Sequence, residues 1–135
     1  DRVGHIVEPH RIPGIRAIDT AARDHLMTEL RAVMTKFVGV QRSAKGLLLA
    51  LAQLKELEAE SDGDTVLANM LLTARFITAA ALIRKESRGG HYRMDYPETN
   101  PALAQRTFMT IHDLDGIDTA TAPTPLEAVP AVCHT

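Results

Sequence analysis

The sequence predicts an all-α protein: an antiparallel up-down-up three-helix bundle followed by an extended, partly irregular C-terminal tail. Apolar residues make up 45% of the 135 residues, which is enough to form one packed core. Aromatic residues account for only 4%, whereas Ala and Leu are abundant, and this composition favours helix packing over a β-sheet. Three long stretches carry apolar residues at helical spacing and are joined by short connections, which is typical of neighbouring antiparallel helices.

The first helix is predicted over residues 20–38, where large apolar side chains recur with 4-3-4 spacing. Asp19 or Thr20 can cap its start. Gly39 follows the last periodic residue, and glycine often ends a helix there because it accepts a left-handed conformation. Residues 1–18 contain Pro and Gly and no long apolar run, so they are predicted to be a linker from a preceding domain.

The second helix is predicted at about residues 42–60, and the polar cluster that follows supplies its stop and the next cap. The third helix, at about residues 65–86, is apolar around much of its circumference. Its apolarity suggests a membrane span, but it contains Asn69 and Arg75, so we interpret it as the buried helix of a soluble bundle. The expected core consists of Leu30, Val33, Phe37, Leu47, Leu51, Leu54, Leu67, Met70, Leu71, Ala74 and Ile77.

The bundle and its closing segment are assigned to residues 19–98, and residues 99–135 are predicted to be an irregular tail. Five prolines follow Gly89, and proline is not tolerated inside a helix. No Lys or Arg follows Arg106, so the tail is also mildly acidic.

Composition excludes several classes of function. The net charge of -2 gives no basic field for a polyanion, so we expect no nucleic-acid partner. The lone Cys133 cannot form an internal disulfide, which favours a cytoplasmic protein. The N-terminus resembles neither a signal peptide nor an anchor, so we expect no membrane partner. The six histidines lack metal-ligand spacing and no Gly-rich phosphate cradle follows a strand, so no metal, catalytic or cofactor-binding residue is predicted. Because the chain begins at Asp1 without Met, we expect it to be a piece of a longer protein. Its partners can include further copies of the same protein in a homo-oligomer.

The densest chemistry lies between residues 84 and 98, where four basic residues, three acidic residues, both tyrosines and a histidine surround Gly89 and Gly90. One interpretation is a solvated helix end with a turn, in which Gly89 is the cap. The other is a docking element, because arginine and tyrosine are typical interface anchors. In that case the Gly-Gly break frees the segment from the bundle, and its guanidinium groups are exposed without carboxylates held nearby. The candidates for domain docking are Arg84, Glu86, Arg88, His91, Arg93 and Asp95.

The same segment carries a family resemblance. Residues 86–97 resemble the signature ESRG-x-H-x-x-x-DYP, which closes the C-terminal helical domain of the L-aspartate oxidases within the succinate dehydrogenase/fumarate reductase flavoprotein family. Upstream, Met34 and the run 38–42 resemble the passage M-x-x-x-VGI-x-R of that domain. The match covers roughly residues 25–98, and the signature is specific because it joins at least seven fixed residue types to a three-helix context.

The resemblance implies a parent enzyme that oxidises L-aspartate to iminoaspartate with FAD, the first step of the bacterial quinolinate route to NAD. In this family the FAD fold and the substrate-binding residues belong to flavin and capping domains that precede the helical domain. No catalytic residue is therefore transferred to this chain, which is expected to be inactive alone and to dock onto those domains.

Two departures from the family pattern keep alternatives open. Gly90 stands where the signature has Leu or Ala, and Arg93 stands where aspartate oxidases often have a neutral residue. Respiratory relatives carry RGAH-x-R, so a succinate dehydrogenase or fumarate reductase flavoprotein subunit is the second possibility. A third, from a different class, is an autonomous helical module that binds another protein through the same segment.

Overall fold

The computed structural model describes residues 19–61 and 63–121 of the chain. The predicted linker, Cys133 and the end of the predicted tail lie outside the described residues. Those described contain four α-helices, one short 3-10 helix and two strands of two residues each. These are α1 (Thr20–Val38), β1 (Gln41–Arg42), α2 (Ala44–Glu60), α3 (Thr65–Ile83), β2 (Tyr92–Arg93), the 3-10 helix (Pro101–Leu103) and α4 (Ile111–Thr121).

The three long helices form the main core, and each of them contacts the other two. Eight of the predicted core residues are buried, and Phe37 and Met70 are partly buried against them. Ile77 is 50% exposed, so its assignment to the core is wrong. Because α3 is apolar on most sides, the spacing of its apolar residues does not select the covered face, and Thr78 and Ala79 are buried instead.

The first helix has the predicted bounds, but its ends are built differently. Asp19 occupies the N-cap position without a side-chain hydrogen bond. Gly39 follows the helix with φ -65°, so the left-handed conformation that we expected is wrong. A Cβ atom at this position would lie 2.7 Å from the carbonyl oxygen of Thr35. Glycine is therefore required here by a close approach of the backbone, and not by a positive φ.

The second and third helices are shorter than predicted and carry side-chain caps. Ser43 caps α2, with its Oγ accepting from Gly46 N at 3.2 Å. Asp64 caps α3, with its Oδ1 accepting from Leu67 N at 3.0 Å, and Arg23 of α1 donates from Nε to its Oδ2 at 2.8 Å. These bonds lower the pKa of Asp64, with the Leu67 amide as the largest cause.

Among the described residues, α3 is the one helix long and apolar enough to cross a membrane by length and composition. Its Leu67, Leu71 and Ala74 are buried in the core formed with α1 and α2. Its buried Arg75 donates to both carboxylate oxygens of Glu58 on α2, at 3.0 and 2.8 Å. These contacts hold α3 against α1 and α2.

Two short strands pair in parallel between the long helices and the segment that follows them. Gln41 lies opposite Tyr92 and Arg42 opposite Arg93, and Met94 N donates to the carbonyl oxygen of Arg42 at 2.8 Å. An all-α prediction missed this pair, because strands of two residues carry no periodic signal.

Part of the predicted irregular tail is helical, which corrects the assignment of residues 99–135. In α4, Leu114 is fully buried in a second cluster with Leu51 and Ala79. Thr110 and Asp113 form a reciprocal cap, in which Asp113 Oδ2 accepts from Thr110 N at 2.8 Å and Thr110 Oγ1 accepts from Asp113 N at 3.3 Å. The prolines of this region flank α4 and none lies within it, so they do not prevent the helix.

Candidate functional site

The segment after α3 folds back onto the bundle. Arg88 and His91 exchange two backbone hydrogen bonds, of 2.8 and 3.0 Å, around a turn in which Gly89 has φ +58°. Only glycine adopts such a φ readily, so the Gly-Gly pair reverses the chain. The expectation that it frees the segment from the bundle is wrong. Gly89 is not a helix cap either, because α3 ends at Ile83 with Arg84 as its C-cap.

Glu86 is fully buried at the centre of a charged cluster. Arg84 Nη2 lies 2.6 Å from its Oε1, Arg88 donates to both of its oxygens at 3.2–3.3 Å, and Asn100 N donates to Oε2 at 2.9 Å. The hydrogen bond from Arg88 is the largest cause that lowers the pKa of Glu86 to about 2. This carboxylate therefore ties the end of α3 to the start of the 3-10 helix.

Arg93 is 1% exposed and its guanidinium group caps the C-terminal end of α3. Its Nη1 donates to the carbonyl oxygens of Ala81 and Leu82 at 2.7 and 2.9 Å. Its Nε and Nη2 donate to the two oxygens of Asp95 at 2.9 and 2.7 Å, and these bonds lower the pKa of Asp95 to about 2. Asp95 also accepts from Ala44 N at 3.1 Å, so Arg93 and Asp95 connect the end of α3 with the start of α2.

His91 lies between a hydrogen-bond donor and an acceptor. Its Nδ1 is 2.8 Å from Nη1 of Arg42, and its Nε2 is 3.1 Å from the carbonyl oxygen of Arg84. A guanidinium only donates and a carbonyl only accepts, so both contacts require the neutral imidazole with its proton on Nε2. Burial is the largest cause that lowers the pKa of His91, which favours the same neutral form.

The structure brings all six docking candidates into one network at the C-terminal ends of α1 and α3. The expectation of guanidinium groups without carboxylates is wrong, because Arg88 pairs with Glu86 and Arg93 with Asp95. Arg93 and Glu86 are buried, and Arg88 is the most exposed of the arginines in the network, with 38% of its side chain accessible.

Two members of the network were missed from the sequence. Arg42 donates to Val38 O at 3.1 Å and so caps α1 as Arg93 caps α3. Ser87 accepts from Arg93 N at 2.9 Å and donates to Tyr96 O at 2.8 Å. Arg42 was part of the quoted family passage, which was the available signal, whereas the role of Ser87 depends on the fold of the turn.

Apolar side chains remain exposed beside this network, and we call them the apolar rim. Its members flank both strands: Val40 precedes β1, Tyr92 lies in β2, and Met94 follows β2. Val40 is 81% exposed and Met94 52%. These exposed apolar side chains thus lie at or next to the two strands that the network holds in place.

Two glycine sites among the described residues offer no phosphate cradle for a flavin. Gly89 and Gly90 lie in a reverse turn and not at the N-terminus of a helix, where backbone N–H groups bind pyrophosphate. At the start of α2, Gly46 N is already bonded to Ser43, and a Cβ on Gly46 would lie 3.5 Å from the Phe37 ring. No group of three or more His, Cys, Asp or Glu in the described part of the chain is arranged to hold a metal.

Comparison with known proteins places the segment in a family. The family model described as fumarate reductase flavoprotein C-term matches residues 64–130. An L-aspartate oxidase of Rhodospirillum rubrum is 45% identical over 77% of this chain and 33% of its own length, and one of Caulobacter vibrioides is 42% identical over 65% and 16%.

A solved structure, Mycobacterium smegmatis Sdh1 in complex with UQ1, is 36% identical, with a TM-score of 0.51 over 57% of this chain and 15% of that one. The chain thus spans a third or less of the length of these relatives. The family model and the relatives agree with the resemblance carried by residues 86–97. The chain therefore belongs to the succinate dehydrogenase/fumarate reductase flavoprotein family and corresponds to its C-terminal domain.

Proposed function

We propose that this chain is the C-terminal helical domain of an FAD-dependent L-aspartate oxidase, a cytoplasmic enzyme that oxidises L-aspartate to iminoaspartate for NAD biosynthesis. The observation that carries the proposal is the 45% identity to an enzyme named L-aspartate oxidase over 77% of the chain. The domain contributes no catalytic residue, and its role is to support the flavin and capping domains of the same protein.

The geometry favours a structural role for this domain over a catalytic one. The charged side chains of the network satisfy one another, and the buried Glu86 and Arg93 cannot reach a substrate from this chain. Because their bonds hold the segment against α2 and α3, the apolar rim is presented on a rigid base. The exposed edges of Arg88 and Asp95, together with the rim, form the surface that docks onto the flavin and capping domains.

We also propose that α1, α2 and α3 run up-down-up. The ion pair between Arg23 and Asp64 joins the beginning of α1 to the beginning of α3, as this arrangement requires. Spin labels at the exposed positions Asp24 and Val66 are expected to lie closer together than labels at Asp24 and Ile83. The opposite order of distances would contradict the arrangement.

The activity is tested with the complete flavoprotein. The purified protein is expected to be yellow and to convert L-aspartate, but not succinate, into product, measured as oxaloacetate after hydrolysis of iminoaspartate. The 135-residue chain alone is expected to be colourless and inactive. Flavin bound to the chain alone, or a complete protein without flavin, would contradict the proposal and leave an interaction module as the explanation.

The second candidate is the flavoprotein of a succinate dehydrogenase or fumarate reductase. It is favoured by the solved Sdh1 structure at 36% identity and by a fumarate reductase (CoM/CoB) of Methanothermobacter marburgensis, one chain of which is 38% identical over 54% of this chain. The same assay separates the two candidates, because this one requires oxidation of succinate or reduction of fumarate and no turnover of L-aspartate.

The docking surface is tested by changing the rim. Met94→Ser in the complete flavoprotein is expected to weaken flavin retention and turnover, because it removes an apolar contact between domains. The matched control is Phe108→Ser, which changes a side chain that is 87% exposed and lies outside the rim. Equal effects of the two substitutions would contradict docking through the rim.

A further inference from the structure

Among the described residues, His91 is a titratable group whose side chain joins the segment around β2 to β1. The bond requires its ring to be neutral. Arg42 in β1 donates to its Nδ1 at 2.8 Å. The same Arg42 caps α1 through Val38 O and accepts from Met94 N through its carbonyl oxygen. Two side-chain bonds therefore hold Arg42, one to Val38 O and one to the free lone pair of His91 Nδ1, and its backbone pairs β1 with β2.

Protonation of His91 removes that lone pair and adds a positive charge. A proton on Nδ1 would point at an N–H group of Arg42, so a hydrogen bond would become a contact between two cations. Neighbouring carboxylates are already engaged, because Glu86 binds Arg84 and Arg88, and Asp95 binds Arg93 and Ala44 N. The charged groups that act on the ring are Arg42 from β1, Arg84 after α3 and Arg93 from β2, and all three disfavour a second positive charge.

We propose that His91 is a pH-sensitive latch, which fastens β1 to β2 while its imidazole is neutral and releases Arg42 when the imidazole is protonated. The proposal goes beyond the supporting role proposed above and does not depend on which substrate the complete enzyme uses. It rests on the donor and the acceptor that enclose the ring and on the three arginines, Arg42, Arg84 and Arg93, whose charges act on it.

The direction of the pH dependence follows from the folded structure. The closed form lowers the pKa of His91 from its ordinary 6.5, so the open form takes up the proton first. The equilibrium constant for opening is therefore independent of pH above about pH 6.5 and rises as the pH falls below that value. For a single proton, the equilibrium constant for opening rises by at most about tenfold per pH unit in this range.

The test uses the 135-residue chain and two measurements. Nitrogen-15 NMR of the imidazole, assigned with His91→Gln, is expected to show a proton on Nε2 and a bare Nδ1 at pH 7.5. Hydrogen exchange of the Met94 amide, corrected for the intrinsic exchange rate, gives the opening constant between pH 7.5 and 5. We expect this constant to rise by up to about tenfold per pH unit below pH 6.5, whereas that of Leu54 inside α2 stays constant.

The matched variant is His91→Gln, because glutamine can accept from Arg42 and donate to Arg84 O without titrating. In this variant the Met94 amide is expected to lose its pH dependence. A proton on Nδ1 in the wild-type chain, no increase in opening at Met94, or the same increase in His91→Gln would overturn the proposal. If the variant does not fold, the tautomer and the comparison of Met94 with Leu54 in the wild-type chain still decide.

Discussion

Arg93 illustrates why the buried position at the end of α3 requires an arginine. Its guanidinium group donates to two carbonyl oxygens of α3 and, from its other side, to both oxygens of Asp95. A planar group with five N–H donors can make these bonds in two directions at once, whereas the ammonium group of lysine is a single point. A buried cation is tolerated only when it is paired in this way.

We expect Arg93→Ala to lower the free energy of unfolding of the chain by about 1–3 kcal/mol, because the carbonyl oxygens of Ala81 and Leu82 lose a charged donor. Arg93→Lys should recover only part of this loss, because it cannot cap α3 and bind Asp95 together. Urea unfolding followed by circular dichroism measures both. Arg31→Ala, at an exposed position of α1, is the control and should stay within about 0.5 kcal/mol. Equal losses for Arg93→Ala and Arg31→Ala would show that the cap contributes nothing.

Ionised Glu86 stabilises the folded chain, and this stabilisation is lost at acid pH. Its pKa is lowered from 4.5 to about 2 in the folded state, so the folded protein prefers the ionised form. The resulting stabilisation is complete above about pH 4.5 and is lost as the pH falls towards 2, and Asp95 acts in the same direction from 3.8. We expect Glu86→Gln to flatten the fall in unfolding free energy between pH 5 and 2, whereas Glu29→Gln, at an exposed position, should not. An unchanged slope in Glu86→Gln would rule out this assignment.

At the scale of elements, the packing of α4 on the bundle can be tested at Leu114, which is fully buried. We expect Leu114→Ala to cost about 2–5 kcal/mol of unfolding free energy, because Leu114 packs against Leu51 and Ala79 and its removal leaves a cavity. Ile77→Ala in α3 removes an aliphatic side chain that is half exposed, so it should cost less than about 1 kcal/mol. Comparable losses for the two variants would mean that α4 does not pack on α3 in solution.

The helices were predictable where local signals agree, and less so where tertiary contacts decide. The bounds of α1 follow from its apolar spacing and flanking residues. The end of α3 does not follow from local signals. The helix stops at Ile83, where Arg93 caps it, although the next three residues, 84–86, are compatible with a helix. The buried face of α3 could not be predicted either. Apolar residues surround the helix axis, so nothing in the local sequence shows that Ile77 is exposed.

At the scale of the whole molecule, the sequence located the charged segment that the family signature covers and did not reveal its internal arrangement. The density of charge around Gly89 and the family signature identified residues 84–98. The ion pairs within the segment join side chains two residues apart, Glu86 with Arg88 before the turn and Arg93 with Asp95 after it. Alternate side chains of an extended chain lie on the same side, but the predicted helix ran on to residue 86, so this spacing was not recognised from the sequence.

The β1–β2 pair closes a loop that contains all of α2 and α3, and its partners are about fifty residues apart along the chain. The helices consist of local contacts and can form early in folding, whereas this closure must wait until both helices have brought its ends together. Changes at Arg42 or Arg93 should therefore speed unfolding in stopped-flow experiments and leave the folding rate nearly unchanged. By this reasoning the pair determines how long the folded chain lasts, while α1, α2 and α3 determine how quickly it forms.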